Sequence, residues 1–199
     1  MRTSKPIATI SYNSEEYLRY KLEELIKAHK ICDYYFIHHY KEEDEAKDHI
    51  HLWLKPNTLL DTMDLQNHFK EPDQNNPTKP LGCIDFTSSK LDDFILYGLH
   101  LEAYLAFKGE KRAYHYTKED FRYNDADTFN EVYNHALKGS DFAKRFQLIQ
   151  MLQDETINPV DLINSGLVSF NQSGQVLAYQ RLQDESLYRN GRKTHTPKD

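Results

Sequence analysis

Apolar and polar positions alternate through IATISYN (7–13), the pattern of a strand with two different faces. Ser14 then opens a stretch in which Tyr17, Leu18, Leu22, Leu25 and Ile26 recur at the helical period. Glu15 and Glu16 lie in its first turn, so a helix is predicted through about His29. Two aromatic-rich runs follow, CDYYFIHHY (32–40) and HIHLWLK (49–55), with the acidic KEEDEAKD (41–48) between them; they predict a hairpin with a solvated loop. Pro56-Asn57 ends the second strand, TLLDTMDLQNHFKE (58–71) has helical spacing, and PDQNNPTKP (72–80) is a loop on composition. LGCIDFT (81–87) predicts another strand. Ser88 or Ser89 can cap a helix through KLDDFILYGLH, with Asp92 supporting the cap, and EKRAYHYT (110–117) predicts a last strand. The order β-α-β-β-α-β-α-β implies an α+β fold: an antiparallel sheet of about five strands with flanking helices.

Beyond DADT (125–128) the texture becomes helical. FNEVYNHAL stops at Lys138-Gly139, Ser140 caps DFAKRFQLIQML, Pro159 opens a short helix, and GQVLAYQRLQDESLY precedes a loose basic tail, RNGRKTHTPKD. The predicted division is therefore a first domain over 1–125 and a helical accessory region over 126–199.

Composition narrows the function. The 199 residues are 39% hydrophobic and 13% aromatic, enough for a packed core. A net charge of −6 argues against a protein that coats nucleic acid indiscriminately, although KGEKR (108–112) and RNGRK (189–193) are local basic patches. No apolar run approaches a membrane span and MRTSKPIATISYN lacks a signal-peptide core, so a cytoplasmic protein is expected. Cys32 and Cys83 have no metal or redox spacing and read as buried free thiols.

Candidate chemistry begins with the histidines. On an alternating strand His49, His51 and Trp53 share one face, while Ile50, Leu52 and Leu54 take the other and can bury against helices. Residues two apart on a strand are about 6–7 Å apart, so both imidazoles can converge on one divalent ion. On the preceding strand His39 lies on the face of Tyr35 and Ile37, and His38 on the opposite one. Three residues on, Glu42 can return a carboxylate, although it also begins the solvated loop. Mixed nitrogen and oxygen ligation suits Mn²⁺, tolerates Mg²⁺ and leaves Zn²⁺ open. In SSKLDDFILYGLH, Leu91, Ile95 and Leu99 make an apolar helical face, whereas Asp93, Tyr97 and His100 cluster on the polar side.

These motifs, in this order, resemble the HUH single-strand endonucleases, in particular the replication initiators of small rolling-circle plasmids. His49-Ile50-His51 matches the family's two histidines flanking one hydrophobic residue; His39 and Glu42 match its upstream His-x-x-acid ligand; LYGLH resembles its tyrosine helix. The later AYHYTKEDF (113–121) looks like the strand after that helix, and the likeness covers about residues 7–125. Two positions depart from the pattern: His100 stands where other branches carry lysine, and Glu42 where related initiators carry aspartate.

The resemblance implies an RNA-recognition-motif-like sandwich that nicks and joins single-stranded origin DNA. Tyr97 would attack a phosphodiester, leaving a 5′-phosphotyrosine and a free 3′-OH. Mn²⁺ or Mg²⁺ on His39, Glu42, His49 and His51 would offset the phosphate charge. A phenol ionises near pH ~10, so the nucleophile needs the metal's field or a base such as His100. The attacked phosphate must be unpaired, in a single strand or hairpin loop. Lys108, Lys111 and Arg112 are candidates for gripping DNA phosphates. Also implied are self-association through the C-terminal helices and a host helicase and polymerase, with no membrane partner. Two alternatives stay open: a single-tyrosine transposase or mobilisation relaxase, and a non-catalytic zinc or DNA-binding protein.

Overall fold

The computed structural model describes residues 2–40, 49–70, 80–84 and 90–153. The chain divides into two compact units, Met1–Lys138 and Gly139–Asp199. No helix among the described residues is long and apolar enough to cross a membrane.

The first unit is built on a four-stranded antiparallel sheet. In chain order come β1 (Arg2–Thr3), β2 (Ile7–Ser11), α1 (Glu15–Lys27), β3 (Ile31–His39), β4 (His49–Pro56), β5 (Leu60–Asp61) and α2 (Thr62–His68). They are followed by α3 (Leu91–Gly98), α4 (Glu102–Lys108), β6 (Phe121–Tyr123) and α5 (Ala126–Asn134). The sheet runs β2-β4-β3-β6, and β1 pairs separately with β5. Because directly paired residues share a face, the register decides what each face holds. Leu54, Leu52 and Ile50 sit across from Ile7, Thr9 and Ser11 on one side and Tyr34, Phe36 and His38 on the other. The apolar members of that face form one core with Leu18, Leu22 and Leu25 of α1 and with Leu65 and Phe69 around α2. The helix that covers it starts at Ser14, whose hydroxyl accepts from the Tyr17 amide.

The opposite face carries Tyr35, Ile37 and His39 of β3 paired with Trp53, His51 and His49 of β4. Phe121 of β6 pairs with Ile37. α5 closes the far end of this face: Phe129 is fully buried, and its ring stacks on Tyr123 at 4.4 Å and meets Phe121 and Tyr35. Asp125 caps α5 by accepting from the Thr128 amide. Thus DADT, which reads as a linker, starts a core helix, because Asp and Thr serve caps and linkers equally. The compact unit ends at Lys138, not at residue 125.

Other expectations need correcting. EKRAYHYT (110–117) is not a strand; the sheet edge is the shorter β6, Phe121–Tyr123. Of LGCIDFT, residues 81–84 contribute only a bridge between Leu81 and Ser11, beside a Gly82 amide that donates to the Ile10 carbonyl; residues 85–87 lie outside the described residues. The helix expected from 58 starts at Thr62, because Leu60 and Asp61 first pair with β1. Lys90, rather than Ser88 or Ser89, holds the N-cap position of α3. The short α4, Glu102–Lys108, is an element that the apolar pattern does not predict. The cysteines are free, but Cys83 is exposed and Cys32 only half-buried.

In the second unit the described helix is α6 (Asp141–Gln153), with the expected cap: the Ser140 hydroxyl accepts from the Ala143 amide. Residues 154–199, including the predicted helices after Pro159 and the basic tail, lie outside the described residues.

Candidate functional site

Strand pairing sets His39 directly across from His49, and His51 one pleat further along on the same face. The three rings pack edge to face, with centroids 4.6 Å apart for His39–His51 and for His49–His51, and 5.5 Å for His39–His49. One ring nitrogen from each lies within 4.8 Å of the others, so the trio could hold a metal ion. His49 Nε2 and His51 Nε2 are 2.9 Å apart. That is hydrogen-bond distance, one ring donating to the other. Glu42 lies outside the described residues. His38 faces the other way, 3.9 Å from the Glu15 carboxylate at the start of α1.

Loss of water prepares His39 and His51 as ligands. His39 is 1% exposed, and loss of water pushes its pKa down to about 3. Desolvation also holds His51 well below the usual imidazole range, with the neighbouring His39 and His49 adding to the effect. A neutral imidazole has one donor and one acceptor nitrogen. His39 Nε2 lies 2.9 Å from the Gly98 carbonyl, which can only accept, so Nε2 carries the proton and Nδ1 the lone pair. The contact orients a ligand ring in the manner typical of metal-bound histidine, and it anchors that ring to the C-terminal end of α3.

Gly98 allows that approach. A Cβ there would stand 3.0 Å from the Phe121 ring and 3.1 Å from Ile37 Cγ2. With only hydrogen in that place, α3 settles onto the sheet and carries Tyr97 to the cluster. The half-buried Tyr97 ring meets His51 edge-on, centroids 5.4 Å apart. Asp93, one turn before Tyr97 on α3, accepts from the buried Tyr104 hydroxyl at 2.9 Å. Desolvation and this bond raise the Tyr104 pKa far above the usual phenol range.

α3 ends in a Schellman turn: the His100 amide bonds to the Tyr97 carbonyl and the Leu101 amide to the Leu96 carbonyl. His100 occupies the left-handed position, φ 49°, that glycine usually fills. It is therefore not a helical residue. Its buried ring packs 4.3 Å from His39 and 5.9 Å from Tyr97. His100 Nδ1 donates to the Tyr114 carbonyl, which puts the ring's basic nitrogen at Nε2.

This turn also explains why residues 110–117 form no strand. Their polar groups are spent on the end of α3: the Tyr116 amide donates to the Leu99 carbonyl, and His115 Nδ1 to the His100 carbonyl at 2.6 Å. The segment delivers Tyr116, which stacks on His39 at 4.4 Å, and Arg112, whose Nη2 donates to the Tyr97 hydroxyl at 3.2 Å. Gly109 makes the return possible. Its φ of 76° follows α4, and the Glu110 amide bonds back to the Leu105 carbonyl. Of the other candidate DNA contacts, Lys108 lies over the Tyr104 ring and Lys111 is exposed.

So His39, His49, His51, Tyr97, His100 and Arg112 come together, and Gly98, His115 and Tyr116 join them unforeseen. Tyr116 has a sequence signal, the aromatic alternation of 114–116, but that pattern predicts a strand. No protein-family model and no curated protein matches the chain.

Proposed function

We propose that this chain nicks and rejoins single-stranded or hairpin-loop origin DNA to initiate rolling-circle replication. The observation that carries the reading is the half-buried Tyr97, set edge-on to His51 of a three-imidazole cluster. Tyr116 also packs on the cluster, against His39, but it is buried, whereas Tyr97 is half-buried and so open to a substrate. His39, His49 and His51, with Glu42 as a fourth candidate, would hold Mn²⁺ or Mg²⁺. When bound, the ion would offset the phosphate's charge. Tyr97 attacks in line, His100 is the candidate to take the phenol proton at Nε2, and Lys108 and Lys111 are candidates for gripping the backbone. The product is a 5′-phosphotyrosine with a free 3′-OH to prime a polymerase. Self-association through the helical region belongs to the same proposal, as do a host helicase and polymerase.

The test is incubation with a random-sequence single-stranded DNA pool and Mn²⁺, followed by boiling in detergent. Wild-type protein should retain DNA, and Tyr97→Phe protein should not. Tyr104→Phe should retain it while losing about 1 kcal/mol of stability, the worth of the bond to Asp93. Mass spectrometry that places the nucleotide on Tyr114 or Tyr116 would sink the assignment. A three-histidine set also suits Zn²⁺; a protein that forms no adduct and unfolds in chelator would favour a structural zinc module.

A further inference from the structure

The basic residues of 108–112 differ in what they touch. Lys108 rests on an aromatic ring and Lys111 is exposed, but Arg112 reaches the reacting oxygen itself, Nη2 to Tyr97 Oη at 3.2 Å. Its placement is built rather than incidental. The left-handed Gly109 turns the chain back after α4, and three hydrogen bonds, from His100 Nδ1, His115 Nδ1 and the Tyr116 amide, tie the returning segment to the end of the nucleophile's own helix. Glu110, 3.4 Å from the guanidinium, steers it from the outside. The backbone that follows Arg112 is thus fixed to the helix that carries Tyr97.

We infer that Arg112 is a catalytic residue rather than a backbone grip: it holds the Tyr97 oxygen and stabilises the charge that develops there and on the phosphate during attack. The inference rests on the proposed nicking role of Tyr97. In the step, the phenol oxygen forms a bond to phosphorus as the P–O3′ bond breaks. The phenol proton passes to His100 and on to solvent, and the 3′ oxygen takes one proton from solvent, so no co-reactant is needed. A guanidinium always carries its charge and presents several N–H groups in one plane. One N–H can therefore stay on the tyrosine oxygen while another reaches a non-bridging oxygen only as attack brings the two together in the transition state. Preorganised donors of this kind contribute most where charge appears only in the transition state.

The distinguishing measurement separates rate from binding. With the random-sequence single-stranded pool at saturation and Mn²⁺ present, Arg112→Met should slow adduct formation about 10²–10³-fold. Arg112→Lys should recover part of that loss. DNA affinity measured in EDTA should change little, and the slope of log affinity against log salt should stay at its wild-type value. If Arg112→Met instead nicks at the wild-type rate once saturated, with affinity weakened and the salt slope reduced by about one, Arg112 is a phosphate grip and the inference is wrong. A wild-type protein that forms no adduct, or a Tyr97→Phe protein that still does, overturns the nicking reading and this inference with it. Circular dichroism of each variant confirms that the exposed Arg112 was changed without loss of the fold.

Discussion

His38 and His39 are neighbours in sequence with opposite surroundings. His38 looks toward Glu15 at the start of α1, whereas His39 is buried against Tyr116, His100 and the Gly98 carbonyl. Substitutions should separate them. His49→Ala and His51→Ala should fold, lose Mn²⁺ binding by calorimetry at least tenfold each, and form no adduct, because neither side chain belongs to the apolar core. His38→Ala should keep both properties. If His38→Ala is the inactive variant and His39→Ala the active one, the β3 register is off by one. The faces of these residues were legible in the sequence because a strand has a period of two and the apolar residues mark the core side. What was not legible is which nitrogen each ring offers. That depends on the Gly98 and Tyr114 carbonyls, contributed from 59 and 14 residues away.

At the scale of elements, the sequence revealed helices with strong apolar stripes and strands with aromatic runs, and misread whatever was decided by turns. α4 and the segment after it are the clearest instance. Tyr114 and Tyr116 alternate as in a strand, but the end of α3 supplies their hydrogen-bond partners first, and β6 takes the sheet edge instead. No periodicity signals this, because the deciding residue is a histidine in a glycine position. A comparison makes the cost measurable. His29 closes α1 in the same left-handed conformation as His100, φ 53° against 49°, but His29 is exposed and His100 is buried. His29→Gly should raise stability by up to about 1 kcal/mol in urea unfolding, since it removes only the backbone strain. His100→Gly, with the same backbone benefit, should lower stability, because it also deletes the packed ring and the bond to Tyr114. Equal shifts in the two variants would mean that the His100 ring does not secure the segment carrying Arg112.

For the whole molecule, the position of Phe129 decides where the first unit ends. A chain of residues 1–138 should be soluble, show a cooperative melt and form the DNA adduct. A chain of residues 1–125 loses α5 and with it the Phe129 ring from Tyr35, Phe121 and Tyr123; it should aggregate or melt without cooperativity. The point variant Phe129→Ala should cost about 3–5 kcal/mol. A shorter chain as stable as the longer would restore the boundary at residue 125. The buried imidazoles also set a pH response for the metal-free protein. The His39 pKa is held at about 3 when folded, against about 6.5 in an unfolded chain, so the unfolded state binds the extra proton. Stability should be level above about pH 6.5 and decline as pH falls from there toward 5. The urea midpoint in EDTA reads this directly, and His39→Gln, which keeps a donor for Gly98, should flatten the decline. His51, shifted the same way, contributes the same sign.

Gly98 lies where these scales meet. The Phe121 and Ile37 side chains would stand only 3.0 and 3.1 Å from a Cβ there, so the height of α3 above the sheet is set by how far those two packed side chains can give. Gly98→Ala should lift the helix by a few tenths of an ångström, cost about 1–3 kcal/mol, and slow adduct formation on the order of tenfold, while Mn²⁺ binding at His49 and His51 persists. Should the alanine variant form adduct at the wild-type rate, the helix can ride up without harm. Otherwise the protein carries its own feeler gauge: one C–H bond, impossible to trim further.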